Sequence, residues 1–242
     1  MDNQLSKYPK GSIREVLSIA LPLMVAIFSF NIMILVDRLV LAQYSIEAMN
    51  AAGVIILVVI LFQFLLVNVA AISEVIIGRH YGAKEYSNMG RPVWQMIWLS
   101  LIATIPMHLI GQEGTKYFQV LLTGSALSPI IAALAAFFIA RGKTSIVTIS
   151  AIIANLINIG LAYMFVFGVE GYLEPQGLVG SAYALLLAEC IQIAILFAAF
   201  ATPYNIKHFK VLDYKFDFKI MKESLRIGLP NAIGHFIEIA CW

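Results

Sequence analysis

From Val16 to Val36 the chain runs for 21 residues without a charged side chain, and the pattern recurs. Ala48–Ser73 holds 26 uncharged residues, Pro92–Gln112 21, Tyr117–Ala140 24 and Thr144–Val169 26. Pro175–Ile206 extends for 32, interrupted only by Glu189. About 20 apolar residues cross a bilayer core as a helix. Backbone groups in lipid must pair with one another, so runs of this length read as helices rather than loops. A transmembrane barrel would need alternating segments of about ten residues, which are absent. The first run is too long for the apolar core of a cleaved signal peptide, and no small-residue cleavage site follows it. The expected fold class is an all-α polytopic membrane protein. It has a six-transmembrane-helix repeat followed by a truncated seventh helix. Composition agrees: 61% of residues are apolar and 12% charged, against roughly 25% charged in soluble domains.

Fourteen of the sixteen basic residues fall on one side of this predicted topology. Lys7, Lys10 and Arg14 precede span one, Arg79, Lys84 and Arg91 follow span two, and Arg141 and Lys143 follow span four. Six more lie between Lys207 and Arg226. The opposite loops carry Glu47, Glu113, Glu170 and Glu174, with Lys116 as their one basic residue. The positive-inside rule therefore puts the N-terminus in the cytoplasm, with the spans in the cell membrane, read as a bacterial inner membrane. These basic clusters are topology signals, so no nucleic-acid partner is expected. The lipid bilayer is the partner that composition demands. The two cysteines, Cys190 and Cys241, sit inside predicted spans and read as packing thiols rather than a disulfide.

The segment "MKESLRIGLPNAIGHFIE" restarts "SIREVLSIALPLMVAIFSF" at an offset of 208. Glu15 meets Glu223, Leu21 meets Leu229, Pro22 meets Pro230 and Phe28 meets Phe236. Both copies follow a basic segment, so the repeats are parallel ones, related by an axis along the membrane normal. The expected division is a cytoplasmic segment 1–14, a six-helix lobe 15–201, a basic linker 202–226 and the start of a second repeat at 227–242. On this reading the chain is part of a protein nearly twice as long, and the complementary C-terminal lobe is a partner.

Five stretches in order carry a family resemblance. "LSIALPLMVAIFSFNIMILVDRLVLA" resembles the first helix of the MATE (multidrug and toxic compound extrusion) transporters, and "ISEVIIGRHYGAKEY" the end of their second helix. "FFIARGKT" with "IIANLINIGLAYMFVFG" resembles the passage from the fourth helix to the fifth. "GLVGSAYALLLAE" resembles the sixth and "RIGLPNAIGHFIE" the seventh. The resemblance implies twelve helices in two lobes, with alternating access exchanging H+ or Na+ for organic, often cationic, compounds. It implies no cofactor beyond that coupling ion, and no enzyme activity. The family often has an acidic or amide residue four positions after its fifth-helix Asn, where this chain has Ala162. A common hydroxyl in helix six is replaced by Leu185. Both departures remove oxygen ligands, so a proton is favoured over Na+. A lipid-linked precursor flippase of the same superfamily and a non-transporting fragment are the alternatives.

Intramembrane carboxylates are the informative candidates, because an Asp at a helix centre costs about 2.5–3.5 kcal/mol on insertion scales. Asp37 matches the family's first-helix Asp, implicated there in cation coupling. Against this stands an interfacial anchor, with Arg38 snorkelling to the headgroups as a structural residue. Glu238 matches a seventh-helix Glu found in part of the family. Glu189 lies mid-span, one turn from Gln192, to which a neutral carboxyl could bond. Asn155 and Asn158 lie one turn apart in span five. They could ligate a cation or bond to the helix of Asp37, and the resemblance places Asn158 beside the cation site. Glu74 reads as interfacial. Asn31, Gln63 and Asn68 could line a cavity, while Trp94 and Trp98 read as packing anchors. His235 and Glu238 share a helical face, but no metal site is expected from one pair. No nucleophile–base, zinc or phosphate-loop pattern supports an enzyme.

Overall fold

The computed structural model describes residues 8–9 and 12–241, with nothing to say of the side chains of Ile239 and Ala240. Lys7, Lys10 and Trp242 lie outside the described residues. Helices dominate: α1 Ile13–Tyr44, α2 Ile46–Ala71, α3 Ser73–Gly82, α4 Gly90–Gln112, α5 Lys116–Gly124, α6 Leu127–Ile139, α7 Thr144–Phe167, α8 Gly177–Phe200, α9 Pro203–Phe209 and α10 Phe218–Cys241. A single antiparallel bridge, Val169 to Leu173, is the only sheet-type pairing among the described residues.

Among the described residues, six stretches are long and apolar enough to cross a membrane: Ile13–Tyr44, Ile46–Gly82, Tyr86–Gln112, Lys116–Ile139, Thr144–Phe167 and Gly177–Phe200. The protein is a multi-pass membrane protein. Below, the near end is the one at which α1 begins, and the far end is the opposite one.

Local chemistry sets where each span stops. Ser45 is extended between α1 and α2; its N–H bonds Leu41 O, and its hydroxyl accepts from Ala48 N at 3.3 Å. One residue therefore ends one helix and caps the next. The fourth span is two helices, because the chain leaves the helical ladder at Ser125 and Ala126, before Pro129. At Gly168 φ is +78°, and a Cβ there would come within 2.5 Å of Leu173 O, so glycine is required at the far-end turn after α7.

Helix α1 packs on α7, α7 on α8, and α2 on both α6 and α10. Gly180 lets α8 approach α7 closely, with Ala182, Ala184 and Ala188 buried along the same helix. Small residues at such contacts are how helices associate in lipid, where apolar burial brings little advantage. Large side chains point outward instead: Leu21, Met24, Phe28, Leu35 and Leu39 of α1 are all exposed. Cys190 and Cys241 are free and exposed, so they lie on the surface rather than in the packing expected of them.

The 210–217 segment is bound to the near end of α4. Arg91 Nε donates to Asp213 at 2.7 Å, Trp94 Nε1 to Val211 O at 2.7 Å and Trp98 Nε1 to Tyr214 O at 3.1 Å. Gln95, fully buried, donates to Lys215 O and accepts from Asp217 N. Helix α10 begins at Phe218, inside the stretch read as linker from sequence, because Asp217 caps it by accepting from Lys219 N and Ile220 N. Its first turns carry Lys219, Lys222, Glu223 and Arg226, and Glu223 pairs with Arg79 of α3 at 2.8 Å.

Candidate functional site

Helices α1, α2, α5, α6, α7 and α8 enclose a cavity of about 230 Å³ that runs from the far third of the bundle to its middle. Its wall is mostly aliphatic. Against that background stand two carboxyls, Asp37 and Glu189, one guanidinium, Arg38, and one phenol, Tyr117.

Asp37 reaches the wall from α1, two turns before the helix ends. Its Oδ1 accepts from Ser181 Oγ at 2.8 Å. Ser181 stands one turn before Leu185 on the same face of α8, so a hydroxyl is supplied here although Leu185 itself is apolar. Asn158 is 2% exposed and lines the same wall, whereas Ala162 is buried away from it. Asn155 is also buried but does not line the cavity; its Nδ2 donates to Ser29 Oγ at 2.9 Å, joining α7 to α1. The two amides divide their tasks: Asn155 fastens the helix that bears Asp37, and Asn158 faces the open space.

Arg38 differs in direction from the snorkelling path of the interfacial-anchor alternative. Rather than extending to headgroups, it lies on the cavity wall against α2. A Cβ at Gly53 would come within 3.0 Å of a guanidinium nitrogen, so the bare α2 backbone at Gly53 makes room for this inward path. Neither its direction nor the role of Gly53 is encoded locally in α1.

The Glu189–Gln192 bond considered from sequence is replaced by a contact between helices. Gln63 of α2 donates to Ser128 of α6, and Ser128 donates to Glu189 Oε1 of α8. A hydroxyl on a neighbouring helix reaches into the cavity, which a count of turns along one helix does not reveal. Glu189 Oε2 is buried without a hydrogen-bond partner among the described residues.

The remaining candidates lie elsewhere. Glu238 is not part of this cavity: it is exposed on α10 and pairs with His235 Nδ1 at 3.2 Å. No group of three or more metal-ligating side chains occurs among the described residues. Asn31 and Asn68 are exposed and donate back to Ile27 O and Phe64 O of their own helices. Glu74 is half-buried on α3, outside the cavity. Sequence reasoning missed Ser181, Ser128, Tyr117 and the inward turn of Arg38. A small hydroxyl or a lone Tyr in an apolar span gives no signal until its helix is rotated into place.

Comparison with known proteins agrees with this architecture. The MatE family matches residues 22–113, from α1 to the far end of α4. A Thermotoga maritima protein described as "Probable multidrug resistance protein NorM" is 27% identical over 97% of this chain and 54% of its own length. A Synechocystis protein of the same description is 25% identical over 93% of this chain and 53% of its own. Among solved structures, MATE in the straight conformation superposes with a TM-score of 0.78 at 20% identity, covering 91% of this chain and 52% of that one. An outward-facing multidrug resistance MATE transporter gives 0.77 at 19% identity, over 90% and 52%. The chain thus spans about half the length of the curated relatives it matches. The MatE match spans four helices, the relatives align along nearly the whole chain, and the fold is the one that these MATE structures share.

Proposed function

We propose that this chain is the first lobe of a secondary antiporter. It exports organic, cationic compounds in exchange for H+ or Na+ by alternating access between two lobes. The observation that carries the proposal is Asp37: a carboxyl on the wall of an aliphatic cavity within the spans, with Ser181 as its donor and Asn158 on the same wall. An apolar wall accepts varied organic groups by burial, while a carboxylate in low dielectric attracts a positive charge strongly. One negative site that takes either a coupling cation or a cationic cargo is sufficient for exchange, because each leaves when the other arrives.

A proton is the favoured coupling ion, since Ala162 contributes no oxygen ligand. Arg38 is the one cation among the described residues that line the cavity. A wall with more carboxyls than guanidinium groups suits a cation better than an anionic lipid-linked precursor. The MatE match and the multidrug-resistance relatives support the transport reading, and the basic bias of the loops supports a cytoplasmic near end.

The test is efflux from vesicles by the assembled two-lobe transporter, with Na+ and pH gradients imposed separately. A pH gradient should drive efflux. Asp37→Asn should abolish uphill efflux, a fall of at least about 10²-fold, with expression intact. Uphill efflux at the normal rate in that variant would make Asp37 structural.

A further inference from the structure

Beyond Leu186, which lines both spaces, a second groove of about 600 Å³ opens between α4, α5, α6 and α8. Lys116 is its one charged lining residue among those described. Helix α10, where the second repeat begins, packs on α2 and α4 and lines no part of it. We propose that this groove seats one anionic phospholipid of the far-end leaflet, with its phosphate on Lys116 and an acyl chain along the aliphatic wall below.

The charge at the mouth selects the headgroup. Lys116 opens both α5 and the fourth span, so its ammonium stands at headgroup depth. It is the one basic residue of the far-end connections, whose other charges are the carboxylates of Glu47, Glu113, Glu170 and Glu174. It makes no ion pair among the described residues. A zwitterionic headgroup would bring a positive charge to a groove whose lining offers it no carboxylate. An anionic headgroup brings only the charge that Lys116 can pair.

Below the mouth, polarity falls in the order in which a phospholipid is built. Lys116, Gln119 and Thr123 line the groove from one face of α5. At 1.5 Å per residue, Gln119 lies about 4.5 Å and Thr123 about 10.5 Å below Lys116 along the helix. The Gln119 side chain makes no hydrogen bond among the described residues, so its amide can donate to an ester carbonyl. Thr123 is positioned from behind. Gln112 Nε2 donates to His108 Nε2 at 3.0 Å, which leaves the ring hydrogen on Nδ1, and Nδ1 donates to Thr123 Oγ1 at 3.0 Å. The hydroxyl hydrogen of Thr123 is then left for an acceptor in the groove. Deeper come Leu101, Leu127 and Ile130, an acyl-chain surface. A chain already in the bilayer gains little from apolar burial, so the headgroup contact sets the preference, at about fivefold for one charge.

The test is native mass spectrometry of the assembled two-lobe transporter in detergent. Phosphatidylglycerol and phosphatidylcholine with the same acyl chains are titrated together. The wild type should retain phosphatidylglycerol about fivefold in preference. Lys116→Gln should retain one phosphatidylglycerol fewer, and Lys116→Arg should keep it. Leu101→Trp, which fills the groove below the headgroup, should lose that lipid with Lys116 intact. Lys116 and Leu101 are both exposed, so unfolding midpoints in lipid-free detergent should match the wild type. Equal retention of the two lipids by the wild type would overturn the proposal, as would undiminished phosphatidylglycerol in Lys116→Gln or its loss in a folded Lys116→Arg. Inorganic phosphate should leave the unfolding midpoint unchanged. If it raises the midpoint as phosphatidylglycerol does, in the wild type but not in Lys116→Gln, the site takes a free anion and the lipid assignment falls.

Discussion

Replacing Gly180 by Ala should damage the cavity without touching any group that lines it. A Cβ at Gly180 would lie 2.5 Å from Phe165 O and 2.7 Å from Phe165 C, both rigid backbone atoms of α7. Ordinary contact begins near 3.4 Å. Helix α8 must therefore recede from α7 by about 0.9 Å, because a close-packed interior offers no slack. Ser181 follows Gly180 and moves with it. Its 2.8 Å bond to Asp37 then stretches to as much as about 3.7 Å, beyond hydrogen-bonding range. Overpacking costs roughly 1–3 kcal/mol, and loss of a bond to a charged group adds about 1.5–3 kcal/mol when the acceptor is left unsatisfied. Thermal unfolding of the purified protein in detergent should show a lowered midpoint, and vesicle efflux should fall with it. Gly160→Ala is the matched control. No atom lies within 4 Å of its added methyl, and removing a helical glycine is worth up to about 1 kcal/mol. If Gly180→Ala and Gly160→Ala have the same midpoint and the same efflux, the coupling of helix spacing to Asp37 is refuted.

Three further outcomes follow from the near end and the loops. Arg91 holds the Asp213 carboxyl below its ordinary range by hydrogen bonding to it. This contribution is complete above the carboxylate's unfolded value near 4 and is lost as pH falls through the lowered one. Tryptophan fluorescence from Trp94 and Trp98 should report release of the 210–217 segment in acid, and Arg91→Ala should move that release to higher pH. Arg141 lies 4.1 Å from the Phe209 ring centre and 4.7 Å from that of Phe137, and donates to Asn205 at 3.3 Å. Arg141→Ala should cost about 1–3 kcal/mol and speed proteolysis within Pro203–Phe209; unchanged proteolysis would count against it. Tyr172 is 92% exposed in the turn between α7 and α8, so a cysteine there should react with an impermeant reagent in intact cells while one at Lys84 does not. The reverse pattern would invert the proposed orientation.

What the sequence settles by itself is whatever lipid enforces along a single helix. A hydrocarbon solvent leaves no choice of backbone structure for a 26-residue uncharged run such as Ala48–Ser73, so the spans and the all-α class are legible from composition and length. Asp37 is legible for the same reason, since an acid in such a run must answer for its cost. The division of span four into α5 and α6 is not legible, because an uncharged run can bend and stay in lipid. Which way each span faces depends on packing between helices, and there sequence reasoning stops. Arg38 faces inward because Gly53, on another helix, makes room. Glu189 bonds Ser128 rather than Gln192 because α6 presents a hydroxyl across the cavity. Glu238 is as acidic as Glu189 and also lies in a predicted span, yet α10 leaves it exposed beside His235. Rotation about the helix axis, set by glycine and alanine contacts between neighbours, separates a carboxyl that faces the cavity from one that does not.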